Sequence, residues 1–309
     1  MFKSTFDFWI DKYFYRPRYK EMLISMLLSP FTLIYTLIVY IKPKLSKPEK
    51  FKVPVISVGN LVLGGSGKTP LVKAIFNEFS NDFKTFIILR GYKRSSKGML
   101  KVALQGEILS SVQASGDEAM EYALSLKNAN VIVSENRKTA INEAINLGAK
   151  LIILDDGFGK FDIFKFNILL KSNPEPIIKL PIPSGAYRYP ISFYKYADFI
   201  PDQSDIIKTM YISNRTQNML LVTAIANPMR LKNVFGECIG IRFFKDHYKF
   251  KKEELEKLIK SYNADSLLVT MKDYVKIKDF GLNISLLELK TEISTKFKKE
   301  LLNFIQNYN

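Results

Sequence analysis

From Val55 to Phe79 the chain passes through a short apolar run, the turn G-N-L-V-L-G-G-S-G-K-T-P (Gly59 to Pro70), and a stretch with apolar residues at helical spacing. Such a turn works only if a strand delivers it and a helix N-terminus leaves it, so it commits the chain to a layered α/β structure. Gly64, Gly65 and Gly67 supply permissive backbone, and successive N–H groups from Val62, Leu63 and Ser66 onward would face phosphates. Lys68 would neutralise their charge, and the Thr69 hydroxyl would hold Mg²⁺. The usual pattern, G-x-x-x-x-G-K-[ST], asks for a glycine five places before Gly67, where this chain has Val62. The bland alternative is an ordinary strand-to-helix turn.

The rest of the chain repeats the rhythm. Strands are expected at Val55–Val58, Thr85–Leu89, Val131–Val133, Leu151–Leu154 and Asn167–Leu170, with helices at Pro70–Phe79, Asp117–Leu126 and Arg137–Leu147. Five prolines then interrupt Asn173 to Pro190, predicting a loop at the sheet edge. Alternation resumes through Met219–Thr223, Pro228–Phe235, Ile239–Phe244, Lys252–Ser261, Leu267–Val269 and Ile284–Leu287, and a helix closes from Ser294 to Tyr308. Continuous apolar strands between helices predict a parallel sheet covered on both faces. The expected architecture is a nucleotide-binding parallel sheet over 51–200, a smaller α/β lobe over 201–309, and an N-terminal segment over 1–50. Leu151-Ile-Ile-Leu154 runs into Asp155-Asp156-Gly157, which reads as a strand-end acid for Mg²⁺ or, alternatively, as an Asp-Gly hairpin turn.

The N-terminal segment is different in kind. Met22 to Ile41 holds no charged residue, and roughly 20 apolar residues suffice to cross a bilayer. Arg16, Arg18 and Lys20 precede it and Lys42, Lys44, Lys47, Lys50 and Lys52 follow it. Phe2, Phe6, Phe8, Trp9, Tyr13, Phe14, Tyr15 and Tyr19 are aromatics of the kind that favour a membrane interface. The run starts too late and is too long for a cleavable signal peptide. Ser25, Ser29, Thr32 and Thr36 share one helical face, and Pro30 would kink the helix, so the segment reads as an anchor that is partly immersed or packs its polar stripe on the body. A formal net charge of +16 suits an anionic surface or a phosphorylated substrate as well as a solubilising lysine coat. The single cysteine, Cys238, excludes an internal disulfide and fits a reducing, cytosol-facing location. No recognition helix, RNA-binding signature or metal finger accompanies the charge, so nucleic acid is not expected as a partner.

Val53-Pro-Val-Ile-Ser-Val-Gly-Asn60 with Gly64-Gly-Ser-Gly-Lys-Thr-Pro70 closely resembles the tetraacyldisaccharide 4′-kinase family, the lipid A kinases of Gram-negative bacteria. The resemblance continues through Leu89-Arg-Gly-Tyr92, Gly116-Asp-Glu118, Asp155-Asp-Gly-Phe158, Pro183 to Pro190, Ala226-Asn-Pro228, Asp246-His247, Val269-Thr270 and Lys272-Asp273. It spans nearly the whole chain, and the family's loop also lacks the first glycine. The chain departs from the family at Gly159-Lys160, where Gln-His is usual, at Tyr189, where a glutamate is usual, and at Met271.

The resemblance implies a kinase that moves the γ-phosphate of ATP to the 4′-hydroxyl of a tetraacylated glucosamine disaccharide 1-phosphate, forming lipid IVA. It implies ATP and Mg²⁺ as cofactors, work at the cytoplasmic face of the inner membrane, and no obligate protein partner. Lys68, Asp117 and His247 would be catalytic, with Asp117 and His247 acting as an acid–histidine pair drawn together across two lobes by closure. Read on its own, Asp117 serves equally as a helix cap, and a lone histidine as a structural residue. Because the implied acceptor carries a phosphate, Arg188 and Arg90, with Arg94, are the candidate cations for it. Thr69, Asp155 and Asp156 are the candidate metal ligands. A non-catalytic ATPase switch on a membrane would share the loop, the carboxylates and the anchor.

Overall fold

The computed structural model describes residues 5–308 apart from 65, 66 and 226. Gly65 and Ser66 of the loop, and Phe2 and Ala226, therefore lie outside the described residues, as do the side chains of Phe6 and Phe8. By contact the chain divides into two compact units, Thr5–Arg90 with Asn136–Ile207 and Glu292–Asn309, and Gly91–Glu135 with Lys208–Thr291. The stretch Gly91–Glu135, placed by sequence with the phosphate loop, clusters with the later lobe, and the C-terminal helix clusters with the earlier one.

In the unit that holds the phosphate loop, four parallel strands stand in the order Thr85–Leu89, Leu151–Asp155, Val55–Asn60, Phe166–Leu170. Three of them are buried along their whole length, as the unbroken apolar runs required. The register sets Val58 beside Asp155, so the loop after Asn60 and the acids after Leu154 leave the sheet at the same edge. Helix Lys68–Phe79 buries Leu71, Val72, Ile75, Phe76 and Phe79, and helix Arg137–Asn146 is capped by the Asn136 side chain, which accepts from the amides of Lys138 and Thr139. The parallel neighbours of Leu151–Asp155 exclude the Asp-Gly hairpin. The closing helix Thr295–Gln306 buries Phe297 and Leu301, and Phe297 stacks on Phe199.

The N-terminal segment is not one helix. Thr5–Tyr15, Tyr19–Leu27 and Ser29–Leu45 are separate, and the last two meet at a bend of 58°. Pro30 sits in the first turn of the third helix, where its missing N–H costs nothing, so the chain breaks before it rather than kinking around it. No single described helix is long and apolar enough to cross a membrane; the bent pair passes that test only together. Its packing is inverted. Ser25 and Thr32 are buried, while Met26, Leu27, Phe31, Leu33, Ile34, Leu37, Ile38 and Leu45 are exposed. Of the predicted polar stripe, Ser25 and Thr32 face the body and Ser29 is exposed. Ser184 joins both: its hydroxyl donates to the Ser25 carbonyl at 2.8 Å, and the Thr32 hydroxyl donates to Ser184 Oγ at 2.8 Å.

The other unit contains two groups of strands. Leu100–Leu104 pairs antiparallel with Glu107–Ile108 and with Val131–Val133, which corrects the expectation of a wholly parallel sheet. Cys238–Phe243, Met219–Thr223, Ser266–Thr270 and Ile284–Ile293 run parallel, in that order, with Ile206–Ser213 next along the edge. Pro228–Glu237 forms a 3₁₀ helix and Met271–Ile277 a short α-helix that the sequence pattern did not announce. Leu220, Val222, Leu255, Leu267, Val269 and Ile277 make one fully buried core here.

Candidate functional site

Gly67 takes a left-handed conformation, φ +83°, as the residue that turns the loop into helix Lys68–Phe79. The φ value favours glycine, and the geometry directs the first N–H groups of the helix out of the sheet edge. Val62 answers to a different demand. It bridges antiparallel to Tyr187, while the amide of Leu63 donates to the Ala186 carbonyl at 2.8 Å and that of Arg188 to the Leu61 carbonyl at 2.7 Å. Its side chain is buried with Val39, Phe158, Leu169 and Tyr187. A glycine here would empty part of a core, and an extended residue needs none.

This pairing brings the proline-rich segment to the phosphate loop. Arg188 donates Nη1 to Asp156 Oδ2 at 2.8 Å and Nη2 to Asp156 Oδ1 at 2.9 Å, a two-pronged fork, and Nη2 also reaches Asn60 Oδ1 at 2.6 Å. Lys68 Nζ lies 3.2 Å from Asn60 Oδ1 and 3.6 Å from Asp156 Oδ1. Burial pushes the Asp156 carboxyl up, but the Arg188 fork and Lys68 outweigh it and hold the group at about 2. Asp156 has φ +54°, a strained setting for a non-glycine that aims the carboxylate at these cations. Asp155, at the end of its strand, is buried. The two acids thus divide: Asp156 is engaged by the arginine fork, while Asp155 is held buried at the end of its strand. Among the described residues no group of three or more His, Cys, Asp or Glu is placed to hold a metal.

Two departures from the family pattern occupy one space. A Cβ at Gly159 would stand 2.0 Å from the Tyr189 hydroxyl, so the ring at 189 requires the absent side chain at 159. Tyr189 packs on Phe158, Phe161 and Phe193. Arg90, just past the strand Thr85–Leu89, is exposed. Arg94 is spent otherwise: it donates to Glu135 at 2.6 Å, to Ser96, and to the Gly98 carbonyl.

A second cluster belongs to the other unit. Asp117 opens helix Asp117–Ser125, and His247 stands in the loop after strand Cys238–Phe243. His247 Nδ1 lies 3.0 Å from Asp117 Oδ2. The expectation that domain closure unites them is corrected, because both residues lie in one compact unit and are already bonded. Burial pushes the Asp117 carboxyl up, while His247, Lys276 and Lys272 outweigh it and hold the group below the usual carboxylate range. Tyr92 packs edge-on to the imidazole at 5.9 Å, and Lys272 binds Asp246 at 2.9 Å. Sequence reading missed Asn60, which accepts from both cations of the first cluster, and Lys276, 3.5 Å from Asp117. Asn60 was within reach, at the end of the strand before the loop; Lys276 was not, since its helix gave no signal.

These geometries can be set beside known proteins. The family model "LpxK: Tetraacyldisaccharide-1-P 4'-kinase" matches residues 24–209 and 201–306. The tetraacyldisaccharide 4′-kinase of Campylobacter jejuni (strain ATCC 700819 / NCTC 11168) is 44% identical over 307 residues, covering 99% of this chain and 98% of that one. That of Helicobacter pylori (strain 26695) is 44% identical over 301 residues, 97% and 95% of the two chains. Among solved structures, LpxK from Aquifex aeolicus, an "apo" form in complex with ATP, superposes with a TM-score of 0.78 at 26% identity, covering 91% of this chain and 99% of that one. With a family model over most of its length and relatives of near-equal length, this chain belongs to the tetraacyldisaccharide 4′-kinase family.

Proposed function

We propose that this chain is a transferase that moves the γ-phosphate of ATP to the 4′-hydroxyl of a tetraacylated glucosamine disaccharide 1-phosphate, forming lipid IVA in lipid A biosynthesis. The observation that carries the reading is the hydrogen-bonded Asp117–His247 pair in a chain that also holds a Gly-Lys-Thr loop. A switch that only hydrolyses ATP has no need of a second, separate carboxylate–imidazole unit. A kinase does, because a sugar hydroxyl is a poor nucleophile until a base takes its proton.

In this reading the Asp117 carboxylate accepts the proton of the acceptor hydroxyl as that oxygen bonds to the γ-phosphorus. The bond from phosphorus to the β–γ bridging oxygen breaks, and ADP leaves. His247 orients the carboxylate and shares its positive surroundings. Lys68 and the backbone of residues 62 to 69 meet the charge of the phosphates. Arg188 offers its fork to a phosphate in exchange for Asp156, and exposed Arg90 is a further cation for an acidic acceptor.

Thr69 and Asp155 suit Mg²⁺. They are hard oxygen donors on the first turn of the loop's helix and on the neighbouring strand's end, and Mg²⁺ takes few protein ligands when phosphates and water complete its shell. When bound, it would neutralise the charge that builds on the β- and γ-oxygens. Asp156 stays in the proposal as the second, water-mediated candidate. The exposed apolar face of the two bent helices supports a place at the cytoplasmic face of the inner membrane, its basic flanks attracted to anionic headgroups.

The test is purified protein with labelled ATP, Mg²⁺ and a tetraacylated glucosamine disaccharide 1-phosphate in detergent. Label on the lipid at the 4′ position is the expected result. Label released only as inorganic phosphate, with none on lipid, would refute the kinase and favour the switch.

A further inference from the structure

Asp273 is fully buried, a costly place for a carboxylate, and it is satisfied on every side. Its Oδ2 accepts from Thr223 Oγ1 at 2.7 Å, from the Ala224 amide at 3.1 Å and from Thr270 Oγ1 at 3.0 Å. Its Oδ1 meets Lys276 Nζ at 3.4 Å. Both members of the acid–histidine pair hang from this one group. Through Ala224, whose carbonyl accepts the His247 amide at 3.3 Å, it holds the histidine backbone. Through Lys276, whose Nζ lies 3.5 Å from Asp117 Oδ2, it reaches the carboxylate. Lys276 cannot swing away: its side chain is 8% exposed and its ammonium stands over the Phe250 ring.

We propose that Lys276, clamped by Asp273, is a positioning residue of the phosphoryl transfer: it fixes the Asp117 carboxylate toward His247 and sets a positive charge beside it. This rests on the kinase reading for its effect on turnover, but not for its effect on the pair itself. The charged groups that act on Asp117 are His247, itself beside Asp246, and Lys276 and Lys272 on helix Met271–Ile277, with Asp273 bonded to Lys276. Of the lysines, Lys276 is the one in ion-pair range of the Asp117 carboxylate; Lys272 is turned to Asp246.

The experiment compares Lys276→Met, which keeps the aliphatic stem and removes the charge, with Lys276→Arg, which keeps the charge. Turnover of Lys276→Met should fall on the order of tenfold or more with the KM for ATP nearly unchanged, as for loss of one preorganised electrostatic partner. Loss of an opposite charge beside a carboxylate favours its protonated form, so the acid limb of kcat should move to higher pH. Lys276→Arg should recover most of both. The chain's one imidazole gives a readout free of lipid and ATP. Its ring NMR shifts report the carboxylate bonded to it, and the low-pH inflection belonging to Asp117 should move up in Lys276→Met. A folded Lys276→Met protein with wild-type kcat and an unmoved inflection would overturn the proposal. So would full activity in the Met variant with loss in the Arg variant, which would mean packing and not charge. Absence of transfer by wild type, with the inflection still shifted, would fault the kinase reading and leave the positioning role standing.

Discussion

Replacing Arg188 with Met removes a fork that holds one carboxylate by two bonds, and its effect on stability can be worked out as a function of pH. Asp156 is depressed from 3.8 to about 2, a difference of about 1.8 units. At 1.36 kcal/mol per unit that amounts to about 2.4 kcal/mol. Lys68 and Arg137 supply part of that depression, and Asp156 is 41% exposed and Arg188 28% exposed, so the share of the fork after solvent screening is about 1 kcal/mol. A carboxyl whose folded value lies below its unfolded value stabilises the fold when ionised in both states, and that contribution is lost as pH falls through the folded value. The gap between wild type and Arg188→Met should therefore be full at pH 7, begin to close near pH 4, and be roughly halved by about pH 3. The lost Asn60 contact adds a part that does not vary with pH. Urea unfolding in detergent, stepped from pH 7 to 3, measures this directly. A gap that stays constant across the range would refute the assignment of the depression to the fork.

Lys68→Ala and Thr69→Ala should each lower kcat on the order of a hundredfold, since electrostatic stabilisation dominates phosphoryl transfer; undiminished turnover in folded Lys68→Ala would rule the loop out of catalysis. Asp117→Ala and His247→Ala should each cut kcat with little change in ATP affinity, and the double variant should lose hardly more than the worse single, because bonded residues act as one unit. Multiplicative losses in steady-state kinetics would show separate roles. Met26→Glu with Leu37→Glu, on the exposed face of the bent helices, should weaken vesicle co-sedimentation at least tenfold without shifting the thermal midpoint, at about 1.5–3 kcal/mol per buried apolar side chain. Equal sedimentation at high salt would contradict an apolar anchor.

What was legible in the sequence was local. Strand, glycine loop and helix occupy consecutive residues, so Val55–Asn60 and Lys68–Phe79 could be read from pattern and spacing. Asp155 and Asp156 were legible as acids at a strand end, but not their division of labour, which depends on Arg188 some thirty residues on. The antiparallel strand Leu100–Leu104 was missed because one of its partners, Val131–Val133, lies far along the chain and its own alternation is weak. The grouping of Gly91–Glu135 with Lys208–Thr291 has no local signature at all. In the N-terminal segment, hydropathy flagged the apolar run and Pro30 marked the break, whereas the inward face is held by Ser184, which no periodicity of residues 22–41 could reveal.

The helix Ser29–Leu45 makes one more bond: the Tyr35 hydroxyl donates to the carbonyl of Arg188 at 2.8 Å. The residue that forks onto Asp156 beside Lys68 is thus tied, through its own backbone, to the helix that shows its apolar side outward. The helix behaves as a gauge rod and the arginine as the mark upon it. If that helix lies in a lipid surface, the Tyr35 bond helps to set how far above the headgroups the arginine and the phosphate loop beside it are carried. An acceptor that keeps its acyl chains in the lipid and raises its sugar would be met at one fixed height.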